Sequence, residues 1–286
     1  MFPNPYCFPL AIQTVLPENY RENVEFRKNL QTLQEFGFHG VELNIADPEQ
    51  ADLADIQRFL QEFDLKFTMF ASGLTAKTHQ LSLSSPDPEV HRKSVAKSHE
   101  LIDFVQGSGA GIIIGFLKGT AGQDRRQAQD RFHAALQQIS PYAKEKQVPI
   151  LVEATNRYET SVANTLAEAV ALIRDLDNPF LRILPDTFHI NIEEANGFDA
   201  LTRYAAYYDS IHLSDNNRYF PGLGAIKFAE LIQFLKTRNY TGGLAIEGNI
   251  KTSFVADVTV SMEYLAPLLK LNREDAKSQG RKKIRN

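Results

Sequence analysis

Short apolar, β-branched runs alternate with longer amphipathic stretches along this chain of 286 residues. The first run is PLAIQTVL, near 9–16, and residues 22–36 follow with apolar side chains at helical spacing: Val24, Phe26, Leu30, Leu33 and Phe36. Gly37 and Gly40 bracket the turn into GVELNI. The alternation then predicts helix 52–63, strand 66–72, helix 87–106, strand 111–117, helix 124–147 and strand 149–154. It goes on through helix 164–177, strand 181–188, helix 198–207, strand 208–214, helix 225–238, strand 243–248 and helix 255–271.

Eight strands and eight helices in strict alternation imply a parallel sheet with right-handed crossovers. Eight such units close into a (β/α)₈ TIM barrel, a fold that accommodates roughly 250 residues in one domain. A doubly wound open sheet is the alternative and normally uses fewer units. Residues 1–271 are expected to form the barrel, and 272–286 (REDAKSQGRKKIRN after Asn272) a charged, flexible tail. The longest irregular piece, 73–86, follows the third strand and reads as a lid or a substrate contact.

The barrel prediction gives four polar residues a common place. Glu153, Asp186, His212 and Glu247 sit at the ends of PILVE, LRILPD, DSIH and GLAIE, one per successive unit. In a TIM barrel the carboxyl ends of the strands and the loops after them form the active face. A single acid at a strand end commonly caps the next helix, but acid, acid, histidine, acid on four consecutive units points to one metal ion. Three carboxylates and an imidazole suit Mn²⁺, Mg²⁺ or Co²⁺ better than a thiolate-seeking ion.

Neighbouring residues extend the site. His189 follows Asp186 by three, and is a further ligand, a hydrogen bonder to substrate or a buried structural histidine. Arg218, in NNRYFPGLG, offers a cation to a site rich in carboxylates, and Glu159 aims at the same cavity or pairs with Arg157. Lys118, at the end of GFLKG, offers a second cation near the mouth. Phe116, with Phe70 and Phe8, supplies aromatic wall in a chain that has no tryptophan. Glu42 in VELN is either a support behind the ligands or a polar residue of the barrel interior. Residues 251–253 (KTS) lie where many barrels grip phosphate.

Bulk properties narrow the partners. With 31 basic and 35 acidic residues the net charge is −4, which argues against a phosphate backbone and so against nucleic acid. The single cysteine, Cys7, forbids an intrachain disulfide and suits a reducing cytoplasm. No apolar run approaches the ~18 residues of a membrane span.

The segments EATNRYET, DTFHINIEE, HLSDNNR followed by PGLGAIKF, and AIEGN make the chain resemble the xylose-isomerase-like barrel superfamily. Within it the resemblance, over roughly residues 10–265, is to the ketose 3-epimerases of the tagatose and psicose type and related sugar-phosphate isomerases. That resemblance implies C3 epimerisation of a free or phosphorylated ketose. It implies one Mn²⁺-type ion held by Glu153, Asp186, His212 and Glu247, which stabilises a cis-enediolate. Glu153 and Glu247 would serve as the acid/base pair, His189, Arg218 and Glu159 would hold substrate oxygens, and the protein would be a homodimer or homotetramer. An aldose–ketose isomerase of the hydroxypyruvate type and an inosose-type dehydratase begin with the same deprotonation and stay open. An apurinic-endonuclease-like hydrolase, the less favoured alternative, needs a zinc cluster with extra ligands on strands 2 and 3 and an Asp-x-His pair after strand 7; here strand 3 ends MFAS and strand 4 ends GFLKG, and neither supplies histidine.

Overall fold

The computed structural model describes residues 5–270, so the tail expected over 272–286 lies outside the described residues. Eight parallel strands alternate with helices: β1 (Leu10–Val15), β2 (Gly40–Asn44), β3 (Lys66–Ala71), β4 (Gly111–Ile114), β5 (Ile150–Glu153), β6 (Leu181–Leu184), β7 (Ser210–Leu213) and β8 (Gly243–Ile246). The helices are α1 (Val24–Glu35), α2 (Leu53–Gln61), α3 (Gly73–Thr78), α4 (Pro88–Val105), α5 (Arg125–Lys146), α6 (Leu166–Ile173), α7 (Thr187–Glu193), α8 (Gly197–Arg203), α9 (Phe228–Thr237) and α10 (Phe254–Leu269). The strands pair in the order β6-β5-β4-β3-β2-β1-β8-β7, all parallel. This is the expected TIM barrel, not an open sheet.

The barrel closes between β6 and β7 beyond their regular ladders. An isolated parallel bridge pairs Asp186 with His212, and the His212 amide donates to Pro185 O (2.8 Å). One step on, Thr187 Oγ1 donates to Ser214 O (2.6 Å) and accepts from Ser214 N (2.8 Å). A side chain thus continues the seam where the backbones have parted.

Strand periodicity of two decides what faces inward. On β4 and β5, Ile112, Ile114, Ile150 and Val152 join the large core between strands and helices, while Ile113 and Leu151 form a small cluster with Leu184 inside the barrel, against Met69. Two residues beyond Leu151 comes Glu153, two beyond Leu184 comes Asp186, and two beyond Ala245 comes Glu247. The acids are therefore the next inward positions above an apolar layer, which is why strands that read as hydrophobic end in charge.

Two helices lie where the sequence predicted none. Residues 181–188 read as one strand, but β6 stops at Leu184; Pro185 follows and the Asp186 side chain caps α7, accepting from Phe188 N (2.7 Å) and His189 N (3.3 Å). The irregular segment 73–86 begins with α3. No helix among the described residues is long and apolar enough to cross a membrane.

Candidate metal and sugar site

One ligand atom from each of Glu153, Asp186, His212 and Glu247 lies within 4.8 Å of the other three, the one such group of four among the described residues. The four come from the adjacent strand ends β5 to β8. His212 is the hub. Its Nδ1 is 2.7 Å from Glu247 Oε2, 3.6 Å from Glu153 Oε1 and 3.9 Å from Asp186 Oδ2. Its other nitrogen, Nε2, is 3.0 Å from Glu42 Oε2 on β2. A carboxylate behind a ligating imidazole fixes the ring and leaves the opposite nitrogen to the metal. Glu42 thus takes the supporting position, one of its two sequence readings. Burial would lower the His212 pKa, but Glu42 and Glu247 outweigh it and hold the ring well above the ordinary histidine range.

Asp186 combines both readings of an acid at a strand end. Oδ1 caps α7, and Oδ2 faces the group and receives Arg218 Nη1 at 2.8 Å. Arg218 Nη2 reaches Glu247 Oε1 at 2.9 Å. Burial would raise the Glu247 carboxyl, yet Arg218 and His212 hold it far below its ordinary value. Arg218 pays for this placement in backbone geometry, with a φ of 63° in the left-handed region that side chains avoid. Its loop is held by Asp215, whose carboxylate accepts from the amides of Gly222, Gly224 and Ile226 at 2.9–3.0 Å. Asp215 carries no sequence signal beyond an acid just after a strand.

The donor set fits a divalent cation. Glu42, Glu153, Asp186 and Glu247 face Arg218 and His212, with Lys118 behind Glu153, so negative charge is in excess. Glu153 Oε1 is buried with no hydrogen-bond partner, and so is His189 Nε2, 3.8 Å away. His189 Nδ1 accepts from the backbone amide of Asn156 (3.2 Å), so in the neutral ring Nε2 carries the hydrogen and is a donor. A buried acceptor and a buried donor left facing one cavity are positions for a ligand. Gly115 makes room for them, because a Cβ there would fall onto Glu153 Oε2.

The cavity above this group has a volume of about 890 Å³. Glu153, Glu159, His189, Arg218, Glu247 and Phe116 line it, as expected, whereas Asp186 and His212 are fully buried beneath. Glu159 accepts from Asn156 Nδ2 (2.8 Å), and Arg157 pairs with Glu193 instead.

Other expectations are corrected. Lys118 is fully buried, with Nζ on Glu153 O and on Thr155 Oγ1 (2.9 Å), so it braces β5 and is not a cation of the mouth. Burial brings its pKa down to about 8. Phe70 stacks edge-on with Phe104, and Phe8 packs on Tyr240 before the first strand; neither lines the cavity. At 251–253 the amides of Lys251 (2.5 Å) and Thr252 (3.2 Å) already donate to the Asp257 carboxylate, which fills the place a phosphate would need.

Comparison with known proteins agrees with this geometry. The chain is 30% identical over 229 residues to an L-ribulose 3-epimerase of Methylomonas sp., covering 77% of each chain. It is 28% identical over 234 residues to a D-psicose 3-epimerase of Enterocloster bolteae, covering 78% of this chain and 76% of that one. The crystal structure of a D-allulose 3-epimerase from Methylomonas sp. in complex with D-allulose superposes with a TM-score of 0.77 over 92% of this chain and 98% of that one, at 21% identity. A family model described as xylose isomerase-like TIM barrel matches residues 30–268. The chain is an enzyme of the sugar isomerase and epimerase kind and belongs to the xylose isomerase-like TIM barrel family.

Proposed function

We propose that this protein inverts C3 of a ketose, using Glu153 and Glu247 as a proton-transfer pair and a divalent ion, Mn²⁺ first among the candidates, with Mg²⁺ or Co²⁺ as alternatives. One observation carries the reading. Of the four clustered side chains, the two carboxylates on the outermost strands of the set, Glu153 and Glu247, line the cavity, while Asp186 and His212 lie wholly beneath it. Glu153, Asp186, His212 and Glu247 would hold the ion, which when bound polarises the carbonyl and stabilises negative charge developing beside it.

The chain's own groups supply the rest. A proton on the carbon beside a ketone is removed by one carboxylate and returned by the other to the opposite face. Glu153 keeps one oxygen without a partner, ready to take a proton. Glu247, held as carboxylate by Arg218 and His212, serves the second face. His189 Nε2–H is placed to donate to a sugar oxygen, and its ring is fixed by Asn156. Glu159 and Phe116 complete the wall that would orient the sugar. The single cysteine and the small-sugar chemistry support a cytoplasmic enzyme, and the homo-oligomer expected of the family is checked by gel filtration.

The test is turnover of D-fructose, D-psicose and L-ribulose by Mn²⁺-loaded protein, with products separated by chromatography. C3 epimers are expected. Conversion to aldoses or to dehydrated products, with no C3 epimer, contradicts the proposal.

A further inference from the structure

The cavity is larger than the proposed reaction needs. At about 890 Å³ the cavity, which opens at the barrel mouth, is roomy for a free hexulose of six carbons and six oxygens. The volume is also near the upper end of what small-molecule sites use.

The cavity also spreads from the ligand strands over the ends of β1, β2 and β3, and the lining of that half and of the loops beside it is specific. Val15, Phe116 and Ile250 are 53%, 37% and 46% exposed, three of the few large apolar side chains left open among the described residues, and all three face this cavity. Between them stand neutral polar groups. Gln13 and Asn44 point inward from β1 and β2. The Asn44 amide donates to Gln13 Oε1 (2.9 Å), which leaves Gln13 Nε2–H to donate elsewhere. Asn29 on α1 adds a further amide. Apolar patches alternating with amides match a sugar ring, whose C–H faces are apolar and whose rim is hydroxyl.

The charge of the lining disfavours a phosphorylated tail. The lining acids are Glu25, Glu153, Glu159 and Glu247, against Lys77 and Arg218. Arg218 is engaged by Asp186 and Glu247, Lys77 Nζ sits 4.8 Å over the Phe116 ring, and the loop amides at 251 and 252 are taken by Asp257.

We infer that this half of the cavity is a second sugar subsite, and that the substrate is a neutral keto-sugar carrying a glycosyl substituent. The inference rests on the epimerase reading for the ring at Glu153 and Glu247, but the subsite can be tested without turnover. Calorimetric titration of the Mn²⁺-loaded protein compares isomaltulose (a fructose glucosylated on O6), D-fructose and D-fructose 6-phosphate. Isomaltulose is expected to bind at least tenfold tighter than D-fructose, and the phosphate no tighter than D-fructose. Gln13→Ala and Val15→Ser are expected to lower the isomaltulose-to-fructose affinity ratio at least fivefold, with wild-type circular dichroism confirming the fold. Equal affinities, or tightest binding of the phosphate, overturn the subsite whether or not C3 is inverted. Tighter binding of isomaltulose with no sugar turned over keeps the subsite and removes the epimerase reading. No binding of any of the three removes both.

Discussion

The two ends of this barrel are built from opposite materials. At the amino-terminal end of the strands, Phe8, Tyr240 and Tyr208 stack with ring centroids 5.7 and 5.9 Å apart, and the two tyrosine hydroxyls donate to Gly243 O and Leu201 O, both at 3.0 Å. The polar groups of this stack are matched. At the carboxyl end, Glu42, Glu153, Asp186 and His212 are buried together, and Glu153 Oε1 and His189 Nε2 are left without partners. One sheet supports both, divided by the apolar layer of Ile113, Leu151 and Leu184. The floor holds the fold together, while the mouth carries an electrostatic cost that is relieved only by what binds there.

Substitutions should therefore have opposite signatures at the two ends. Glu153→Gln and Glu247→Gln are each expected to lower turnover of a ketose by roughly 10²–10⁴-fold, the scale of one proton-transferring group. Glu153→Gln should also leave metal-free protein about as stable as wild type, since it relieves a site in which carboxylates outnumber cations while giving up the 3.6 Å ion pair with His212. Urea denaturation in chelator checks this; a large loss of stability would mean that Glu153 is structural. At the floor, Phe8→Ala is expected to cost about 3–5 kcal/mol of stability, with turnover per folded molecule retained. A variant that stays stable but loses activity would erase the distinction between the ends.

The seam joining the two regions gives a smaller effect. Thr187→Val removes the hydroxyl that closes β6 on β7 and leaves Ser214 N and O unmatched, for an expected loss of about 1–3 kcal/mol with weaker metal affinity, because Asp186 and His212 are the bridged pair just below. Calorimetric metal titration reads the second part.

The floor also has a distinct pH signature. Burial pushes the Tyr208 hydroxyl up to about 12, and Tyr240 is raised as well. The folded tyrosine then keeps its proton at pH values where the unfolded one, near pH 10, has lost it. Its stabilising contribution is complete below pH 10 and is lost as pH rises through 12. Wild type should lose on the order of 2 kcal/mol between these values through Tyr208 alone, and Tyr208→Phe should flatten that part of the urea stability profile.

Much of this contrast is legible in the residues. The barrel shows because its outward strand positions are uniformly apolar and its helices amphipathic, and the ligands show because charge ends four apolar strands in succession. What escapes is what depends on three-dimensional partners. The segment TFHINI looks extended because Thr187, Ile190 and Ile192 are β-branched, yet Asp186 capping the chain after Pro185 starts a helix. Lys118 reads as an exposed mouth cation, and only the packing reveals that Glu153 O and Thr155 bury it. Asp215 and Asn156 position Arg218 and His189 through backbone amides and ring nitrogens, contacts without a residue-type pattern.

The central claim is that two carboxylates at the mouth exchange a proton at C3 on opposite faces of one sugar. Turnover of a ketose by Mn²⁺-loaded protein in D₂O tests it most directly, with deuterium located by NMR. Solvent deuterium at C3 of the inverted product, none at C1 and no aldose is the predicted result. Deuterium at C1 with aldose formation, or inversion at C3 without solvent exchange, would contradict it.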